Sequence, residues 1–369
     1  MFKILAAILT SATLAFPLQQ TTIPIAPEAH VLFHIKETSN KPVVVPTGLS
    51  PASIKKIYNL PSSGGKGTIA IVDAYNDPML VKDLTIFDTE YGLPACSTAN
   101  GCLTMHTMSP FLSTDQGWAL EESLDVEWAH AIAPNAKILL VMAKSSGGQD
   151  LLNAVAYAAK QKGVVAVSMS WGADEFAGES FYDSYFTTKI STPITFFASS
   201  GDSGNGVLWP AVSTNVVGVG GTSLHFTGNT FTGETAWSES GGGVSAYETE
   251  PLYQSQFNIA ATNGMRAVPD TSFDADPSTG VAVYDSFGYD GQSGWFQVGG
   301  TSLGSPVWAA IRSLGSNFTA SSLYTDALAS PTDFRDIVSG SNGSCAVYCA
   351  AGTGYDYITG LGIPLTVNY

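Results

Sequence analysis

Short apolar runs that alternate with helix-like stretches constrain the fold of this chain more than any other feature of its sequence. Such runs lie at Thr68–Val72, Lys137–Met142, Val164–Ser168 and Ile194–Ala198, and a helical pattern at Leu151–Lys160 follows the second of them. Strands that are apolar on both faces and separated by helices are typical of a parallel sheet with helices on each side. The sequence therefore predicts a three-layer α/β domain whose central β-sheet is mostly parallel.

The N-terminal region predicts export. Lys3 precedes an apolar stretch, Ile4–Phe16, that has small residues near its end and is too short to span a bilayer, as in a signal peptide. We therefore interpret residues 1–16 as a signal peptide, 17–45 as a short pro-segment or linker, and 46–369 as one continuous domain. On this basis we expect a secreted, extracellular protein without a membrane anchor.

The charge of the chain limits its partners. Its 31 acidic and 15 basic side chains give a formal net charge of −16, and such a field repels nucleic acids and anionic lipid surfaces. Only 12% of the residues are charged and 44% are hydrophobic, so a large core is available. This composition is compatible with an acidic working medium. We expect a monomer.

The four cysteines agree with export. They form two close pairs, Cys96 with Cys102 and Cys345 with Cys349, in loops that lack the histidines or second CxxC of a zinc site. The spacing therefore favours two local disulfides over a metal site, as expected of a secreted protein. Two glycosylation sequons begin at Asn317 and Asn342, and they have meaning only in a secretory setting.

A glycine-rich turn marks a candidate nucleophile, Ser302. The turn joins the strand-like run Trp295–Val298 to the helical pattern Pro306–Ile311. This places the serine at a helix N-terminus, where backbone N–H groups and the helix dipole favour developing negative charge. A helix cap explains a serine at this position equally well. Gly220–Ser223 repeats the same four letters without the following proline, and we interpret Ser223 as structural.

A serine hydroxyl needs a base to act as a nucleophile, and a histidine base is poorly supported here. None of the five histidines, at positions 30, 34, 106, 130 and 225, lies in a sequence context typical of a catalytic histidine. A Ser-His-Asp hydrolase would use Asp73, at the end of a predicted strand, as its acid. Without such a histidine, Asp73 is better explained as a strand-end or turn residue.

Two carboxylates offer an alternative base. Glu121 and Asp125 are four residues apart in a segment of helix-forming composition, so they share one face of a helix. Because neither has a basic neighbour in the sequence, their repulsion raises one pKa, and a shared proton would let Glu121 accept the proton of Ser302. An exposed acidic face is the alternative, but the apolar neighbours favour a buried helix. Glu122 and Glu127 are predicted to face solvent.

A third carboxylate, Asp202, follows the apolar run Ile194–Ala198 in a glycine-flanked turn. The run predicts a strand, so Asp202 lies at the carboxyl end of the sheet, where sites form in parallel sheets. A protonated Asp202 can donate a hydrogen bond to an oxyanion, whereas an ionised one would repel it. An ordinary Asp-Gly turn also explains the residue.

Together these motifs resemble the sedolisin, or serine-carboxyl peptidase, family, which shares the subtilisin fold. The similarity runs from about Leu49 to the C-terminus. It implies that Ser302 is the nucleophile, that Glu121 and Asp125 form the charge relay, and that Asp202 lies in the oxyanion hole. Other family-like stretches are Ile71–Tyr75, Ser168–Gly172, Gly241–Gly243, Val268–Asp270 and Asp276–Pro277, and within them we expect Ser168, Ser170, Trp171 and Gly172 to bind substrate.

The resemblance also implies one structural Ca²⁺ ion near the C-terminus. Carboxylates interleaved with glycine carbonyls suit an oxygen-seeking cation, although no EF-hand spacing is present. The implied ligands are the carboxylates of Asp336 and Asp356 and the backbone oxygens of Ile337, Gly352 and Gly354.

The expected function is that of an endopeptidase that hydrolyses polypeptides through an acyl-enzyme on Ser302 at acidic pH. A tripeptidyl-peptidase of the same family, a subtilisin-like peptidase using Asp73, and an inactive peptide-binding homologue remain alternatives. The short segment 17–45 departs from the family pattern, because family members usually carry a long N-terminal prodomain.

Overall fold

The computed structural model describes residues 23–38, 42–188, 193–315 and 317–368, so the predicted signal peptide lies outside it. None of the helices in these ranges is long and apolar enough to cross a bilayer. The α-helices in the same ranges are α1 (Pro51–Ile57), α2 (Leu80–Tyr91), α3 (Gln116–Ile132), α4 (Gly148–Ala158), α5 (Leu252–Phe257), α6 (Gly304–Leu314) and α7 (Ala320–Ala329).

The β-strands in the described ranges differ widely in length. They are β1 (His30–Val31), β2 (His34–Ile35), β3 (Thr68–Ala74), β4 (Leu103–Thr107), β5 (Lys137–Ala143), β6 (Val164–Met169), β7 (Trp171–Asp174), β8 (Thr195–Ser199), β9 (Leu208–Trp209), β10 (Val216–Thr227), β11 (Thr230–Ala236), β12 (Gly243–Thr249), β13 (Met265–Val268), β14 (Thr271–Asp274), β15 (Val281–Tyr289), β16 (Gln292–Gly299), β17 (Phe334–Arg335) and β18 (Ile363–Pro364).

A large central sheet organises the molecule. Within the described residues its strand order is β11-β10-β8-β6-β3-β5-β4, and β14 also pairs with β10. Every pair in this sheet is parallel except β10 with β11. The four apolar runs of the sequence form β3, β5, β6 and β8, and the predicted helical pattern forms most of α4. The prediction of a mostly parallel α/β sheet is therefore confirmed.

The two faces of the sheet are covered by different helices, as successive residues of β3 illustrate. Ile69 and Ile71 belong to a core cluster that includes residues of α3 and α6. Ala70 and Val72 point to the other face and pack in a second cluster with residues of α4. All four are fully buried. This two-sided burial explains why the strands are continuous apolar runs rather than alternating ones.

Helix α3 is buried on every side. Asp115 caps it, accepting hydrogen bonds from the backbone N–H groups of Gly117 and Trp118 at 2.9 and 3.1 Å. From Trp118 to Ile132 no residue is exposed, because α2, α6, β3 and β15 all pack against this helix. Any carboxylate on α3 is therefore removed from water.

The prediction that Glu122 and Glu127 face solvent is consequently wrong, since both side chains are fully buried. One oxygen of Glu122 accepts a hydrogen bond from the backbone N–H of Asp77 at 3.1 Å. One oxygen of Glu127 accepts from the backbone N–H of Tyr284 at 3.0 Å. The second oxygen of each glutamate has no partner. Burial raises the pKa of both carboxyl groups well above the ordinary value, so both favour the protonated form.

Both predicted disulfides are present, Cys96–Cys102 and Cys345–Cys349. The two sequon asparagines differ in exposure. Asn317 is exposed, whereas Asn342 is 6% exposed and donates its side-chain amide to the carbonyl of Ser240 at 2.8 Å. In the folded chain only the first of these two is therefore open to modification.

The buried carboxyl groups predict a fold that is more stable in acid than at alkaline pH. A carboxyl whose pKa is raised on folding binds more protons in the folded than in the unfolded state, so the free energy of unfolding falls as pH rises between its two pKa values. Each unit of difference corresponds to about 1.4 kcal/mol. We expect a higher thermal unfolding midpoint at about pH 4.5 than at about pH 8, and Glu127→Gln should reduce the difference. Gln mimics the neutral acid and keeps the acceptor for Tyr284.

The measurement is thermal unfolding by circular dichroism at both pH values, in a Ser302→Ala background so that peptide hydrolysis cannot interfere. Glu90→Gln, an exposed carboxylate on α2, is the matched control and should leave the difference unchanged. Equal stability at the two pH values would contradict the burial argument.

Candidate active site

Ser302 lies where the sequence predicts, between a strand and a helix. Strand β16 ends at Gly299, residues Thr301–Leu303 form a 3-10 turn, and α6 begins at Gly304. Between them Gly300 has φ +105°, a left-handed conformation that favours glycine. A methyl group on Gly300 would also collide with the carbonyl oxygen of Leu32, the Cα of Phe33 and the carboxylate of Asp202.

The hydroxyl of Ser302 contacts the predicted base. Its Oγ donates a hydrogen bond to Oε2 of Glu121 at 3.0 Å, and both side chains are fully buried. The carbonyl oxygen of Ser170 lies 3.2 Å from the same Oγ. The turn before α6 and the first half of α3 therefore place the candidate nucleophile and the candidate base in direct contact.

Asp125 forms the next contact in this chain of groups. It interacts with Glu121, whose pKa is raised by the negative charge of Asp125, and a hydrogen bond between two carboxyl groups requires that one of them carries a proton. The hydroxyl of Ser170 donates to both oxygens of Asp125, at 2.8 and 2.7 Å. Burial raises the pKa of both Glu121 and Asp125 well above the usual values, and mutual repulsion adds to the rise for Glu121. The pair therefore retains a proton at pH values where exposed carboxyls are ionised.

A further buried carboxyl group, Asp73, lies near the end of β3. The sequence predicts a strand-end or turn residue there, or the acid in the subtilisin-like alternative. Both of its oxygens are buried without a hydrogen-bond partner, and burial raises its pKa to about 8. Any negative charge on it disfavours ionisation of Glu121 and Asp125. Its position directly after an apolar parallel strand is the sequence signal that could have identified it.

The histidines provide no alternative base. All five lie in the described part of the chain, and none of them bonds to Ser302, Glu121 or Asp73. His130 is fully buried and bonds to the carbonyl of Pro94 at 2.8 Å. His106 stacks on Tyr157, and Nε2 of His34 lies 3.7 Å from Oδ2 of Asp202. The geometry therefore gives no support to a subtilisin-like Ser-His-Asp arrangement.

Asp202 faces the other side of Ser302, in the loop after β8. Its Oδ1 accepts two hydrogen bonds from Thr301, from the backbone N–H at 2.9 Å and from the hydroxyl at 2.6 Å. Its Oδ2 is buried without a hydrogen-bond partner. Burial raises the pKa of Asp202 to about 7, and the negative charge of Glu239 adds to the rise. Nε2 of His34, in the N-terminal part of the chain, lies 3.7 Å from Oδ2. The raised pKa favours a protonated Asp202 in acid.

The cleft beside these groups is filled by the chain itself. We call residues Pro27–Ile35 the cleft segment. Its strand β1 pairs antiparallel with β7, placing His30 opposite Gly172 and Val31 opposite Trp171. On the opposite side, the N–H of Ala29 donates to the carbonyl of Ser146 at 2.9 Å. Strand β2 then pairs antiparallel with the end of β16.

The backbone N–H of Ser302 donates to the carbonyl oxygen of Leu32 at 3.0 Å. That oxygen and the carboxylate of Asp202 lie on the same side of Gly300, since a methyl group there would meet both. The cleft segment therefore presents one peptide carbonyl to the nucleophile and to the candidate oxyanion-stabilising groups at once.

The four residues expected to bind substrate occupy different places. Trp171 and Gly172 pair with the cleft segment through their backbone. Ser170 positions Asp125 instead. Ser168 is fully buried, and its hydroxyl lies 2.8 Å from that of Ser305 on α6, so its side chain belongs to the interior rather than to the cleft.

The predicted calcium ligands lie in one loop region next to β17 and β18. Asp336 accepts a hydrogen bond from the N–H of Gly354 at 2.9 Å. Asp356 accepts from the N–H of Gly352 at 3.5 Å and from the hydroxyl of Thr359 at 2.8 Å. Both carboxylates thus contact the loop whose carbonyls would complete the site. An oxygen-only set with two carboxylates fits the chemistry of Ca²⁺.

Comparison with known proteins supports the motif-based resemblance. Residues 116–342 match the subtilase family. Sedolisin from Pseudomonas sp. (strain 101) is 32% identical over 357 aligned residues, which cover 85% of this chain and 59% of that protein. Kumamolisin from Bacillus sp. (strain MN-32) is 30% identical over 363 residues, covering 88% of this chain and 63% of that protein. The chain spans about three fifths of the length of these two relatives.

A solved structure gives the same answer for the fold. Pseudomonas sedolisin (serine-carboxyl proteinase), complexed with two molecules of pseudo-iodotyrostatin, matches with a TM-score of 0.72 at 30% sequence identity. The match covers 87% of this chain and 96% of the solved chain. The expected subtilisin-like fold is therefore confirmed, and the chain belongs to the subtilase family and, within it, to the sedolisins.

Proposed function

We propose that this chain is a serine-carboxyl endopeptidase that hydrolyses polypeptides in an acidic, extracellular setting. One observation carries the proposal: the buried hydroxyl of Ser302 donates to Glu121, whose pKa is raised by burial and by the charge of the neighbouring Asp125. This is the arrangement that an activated serine needs, with a carboxylate in the role that histidine has in other serine hydrolases.

In the proposed reaction Ser302 Oγ attacks the carbonyl carbon of the substrate peptide and its proton passes to Glu121. Asp125, held by the hydroxyl of Ser170, stabilises the proton on the pair. The same proton then goes to the leaving amine, and water hydrolyses the acyl-enzyme on Ser302 by the reverse path. The low-dielectric surroundings keep the pKa of Glu121 high enough for it to be an effective base.

Charge that develops on the substrate carbonyl oxygen needs preorganised donors. The backbone N–H of Ser302 is one, as its bond to the carbonyl of Leu32 illustrates. We assign the second to protonated Asp202, whose Oδ1 is held by Thr301 while Oδ2 has no hydrogen-bond partner and lies 3.7 Å from Nε2 of His34. An ionised Asp202 would instead repel the oxyanion, so this role requires acid.

The shape of the cleft favours an endopeptidase over a tripeptidyl-peptidase. The cleft segment is already bound in the cleft at Pro27, five residues before Leu32, because the carbonyl of Pro27 accepts a hydrogen bond from the N–H of Gly148 at 2.9 Å. It leaves through β2 on the other side. The groove thus holds five residues on the N-terminal side of Leu32. A substrate bound in this way does not need a free N-terminus three residues before the cut bond.

Secretion is supported by the signal-like sequence at residues 1–16 and by two disulfides, which persist in oxidising compartments. Since one chain supplies Ser302, Glu121, Asp125 and Asp202, the proposed enzyme needs no second copy, and we expect a monomer. Its partners are polypeptide substrates, and its charge of −16 disfavours nucleic acid.

We also propose that one Ca²⁺ ion stabilises the C-terminal loop. Asp336 and Asp356 would supply carboxylates, and Ile337, Gly352 and Gly354 backbone oxygens. The ion would neutralise the two carboxylates and hold the loop that contacts both of them.

Removal of the nucleophile should abolish hydrolysis without unfolding the chain. We expect Ser302→Ala to lower kcat by at least about 10⁴-fold, and Glu121→Gln by a similar factor, because the hydroxyl then has no base. The assay is digestion of a mixed peptide pool in acid, with mass spectrometry of the products.

The chain offers matched controls for both variants. Ser223 repeats the same local sequence but bonds to Asp276 at 2.8 Å, and Glu127 is a buried glutamate on α3 that bonds to Tyr284. Ser223→Ala and Glu127→Gln should retain kcat within a few-fold of the native value. Undiminished hydrolysis by Ser302→Ala, or none by the native protein, would refute the proposed function.

The pH dependence of kcat should follow the ionisation of Asp202. Because its protonated form is the proposed donor and its pKa is about 7, kcat should fall as pH rises through about 7. Asp202→Asn keeps a donor that does not ionise, so this alkaline fall should disappear or move up, whereas Asp202→Ala should lower kcat by about 10²–10³-fold. A pH–rate profile in which native and Asp202→Asn fall at the same pH would rule out this role.

Calcium removal should destabilise the protein through Asp336 and Asp356. Addition of a chelator such as EGTA should lower the thermal unfolding midpoint of the Ser302→Ala protein, and readdition of Ca²⁺ should restore it. Asp336→Asn should have the lower midpoint already and should respond to neither treatment. A chelator effect of equal size in Asp336→Asn would show that this loop is not the site.

A further inference from the structure

We propose that Glu239 and Trp237 form a binding site for a positively charged side chain of the substrate, on the second residue after the cut peptide bond. This site makes polypeptides with lysine, arginine or histidine at that position the preferred substrates. The inference rests on the proposed function and specifies the class of peptide bond on which it acts.

The cleft segment shows which part of the site faces which residue of a bound chain. The backbone N–H of Ser302 donates to the carbonyl of Leu32 at 3.0 Å. A substrate whose reacting carbonyl takes this place has its next two residues in the positions of Phe33 and His34. Because His34 pairs with Gly299 of β16, a strand pairing fixes the second of these positions. The surroundings of His34 therefore describe the site for the second residue after the bond.

Two carboxylates and one aromatic ring surround the imidazole of His34. Its Nε2 lies 3.8 Å from Oε2 of Glu239 and 3.7 Å from Oδ2 of Asp202. Its ring lies edge-to-face with that of Trp237, with 5.7 Å between centroids. In its protonated form His34 is a cation, and it then occupies the place that a basic side chain of the substrate would take.

The two carboxylates have different relations to such a cation. Glu239 has a side chain that is 53% exposed, and its only basic partner in the part of the chain that the structure describes is His34. Asp202 is 5% exposed and is the proposed oxyanion donor, a role that requires its protonated form. A cation that faced Asp202 alone would favour the ionised form and oppose this role. Glu239 therefore offers the cation a partner that takes no part in the reaction.

The turn that carries both residues of the site is held by backbone contacts. The N–H of Gly204, in the loop of Asp202, donates to the carbonyl of Glu239 at 2.8 Å, and the N–H of Ser240 donates to the carbonyl of Trp237 at 3.2 Å. Trp237 is 4% exposed, so its ring is a fixed wall. Indole rings attract cations and pack against the alkyl stems of lysine and arginine. The site is therefore preformed for a basic side chain.

The first test reads the preference from a mixed peptide pool. The pool is digested at about pH 5.5, where exposed glutamates are ionised and protonated Asp202 is expected, and mass spectrometry aligns the products on the cut bond. We expect native enzyme to enrich lysine, arginine and histidine at the second residue after the bond. Glu239→Gln should lose this enrichment. Glu90→Gln, an exposed glutamate on α2 that gives the same change of net charge, should keep it.

Matched peptides then separate charge from shape. A peptide that native enzyme cuts at one bond is resynthesised with arginine, citrulline or glutamate at the second residue after that bond, since citrulline has the shape of arginine without its charge. Native enzyme should prefer the arginine to the citrulline peptide by about two- to tenfold in kcat/KM, and by less in about 1 M salt. Glu239→Gln should lose most of this preference. Glu239→Lys should cut the glutamate peptide better than the arginine peptide.

The pH dependence of kcat gives a readout that a merely structural role of Glu239 would not change. The charged groups that face Asp202 are Glu239, Glu121 on α3 and the cation in the place of His34. The negative charge of Glu239 raises the pKa of Asp202, so Glu239→Gln should move the alkaline fall of kcat to lower pH. The arginine peptide should move it in the same direction relative to the citrulline peptide. Glu90→Gln should leave the fall unchanged.

The outcomes distinguish this inference from the proposed function. If native enzyme digests the pool without enriching basic residues at this position, the inference is overturned and the function stands. The inference is also overturned if Glu239→Gln keeps the native preference for arginine over citrulline, or if its alkaline fall of kcat stays at the native pH. If no peptide of the pool is cut, the proposed function has failed, and the substrate site fails with it.

Discussion

The hydrogen bond between the hydroxyl of Ser302 and the carboxyl of Glu121 is the interaction on which the rest of the site depends. It joins two elements that are far apart in the sequence and requires both side chains to be fully buried. Glu121 can reach the nucleophile only because α3 passes through the interior between the sheet, α2, α6 and β15. A carboxyl in such a place must carry a proton or accept hydrogen bonds; Glu121 accepts one from Ser302, and its other oxygen has no hydrogen-bond partner.

Much of this arrangement could be predicted from the sequence, because it follows from local patterns. Continuous apolar runs predict buried parallel strands, and the glycine turn before Pro306 places Ser302 at the start of a helix. The prediction failed at Glu122 and Glu127, which are buried rather than exposed. Their environment is decided by β15 and α2, which pack against α3 from distant parts of the chain, and the sequence of one helix does not contain that information.

The cleft segment could not be predicted for a different reason. Strands β1 and β2 are two residues long, too short for any periodicity to be visible. Their pairing uses backbone N–H and C=O groups, which every residue except proline offers. What places Leu32 against Ser302 is therefore the shape of the groove, with Gly172 and Gly300 leaving room for it. Glycines that are required by a neighbouring chain segment leave no local pattern in the sequence.

Burial raises the pKa of the carboxyl groups proposed to be catalytic, and this has a different consequence for each of them. It raises the pKa of Asp202 to about 7, so that in acid this group is a hydrogen-bond donor, as its proposed role requires. It also raises the pKa of Glu121, which makes that group a stronger base but leaves less of it ionised in acid. The same desolvation raises the pKa of Asp73 and of Glu127. The proposed preference for acid is therefore a property of how the whole interior packs, and a change in solvent access to α3 would shift stability and activity together.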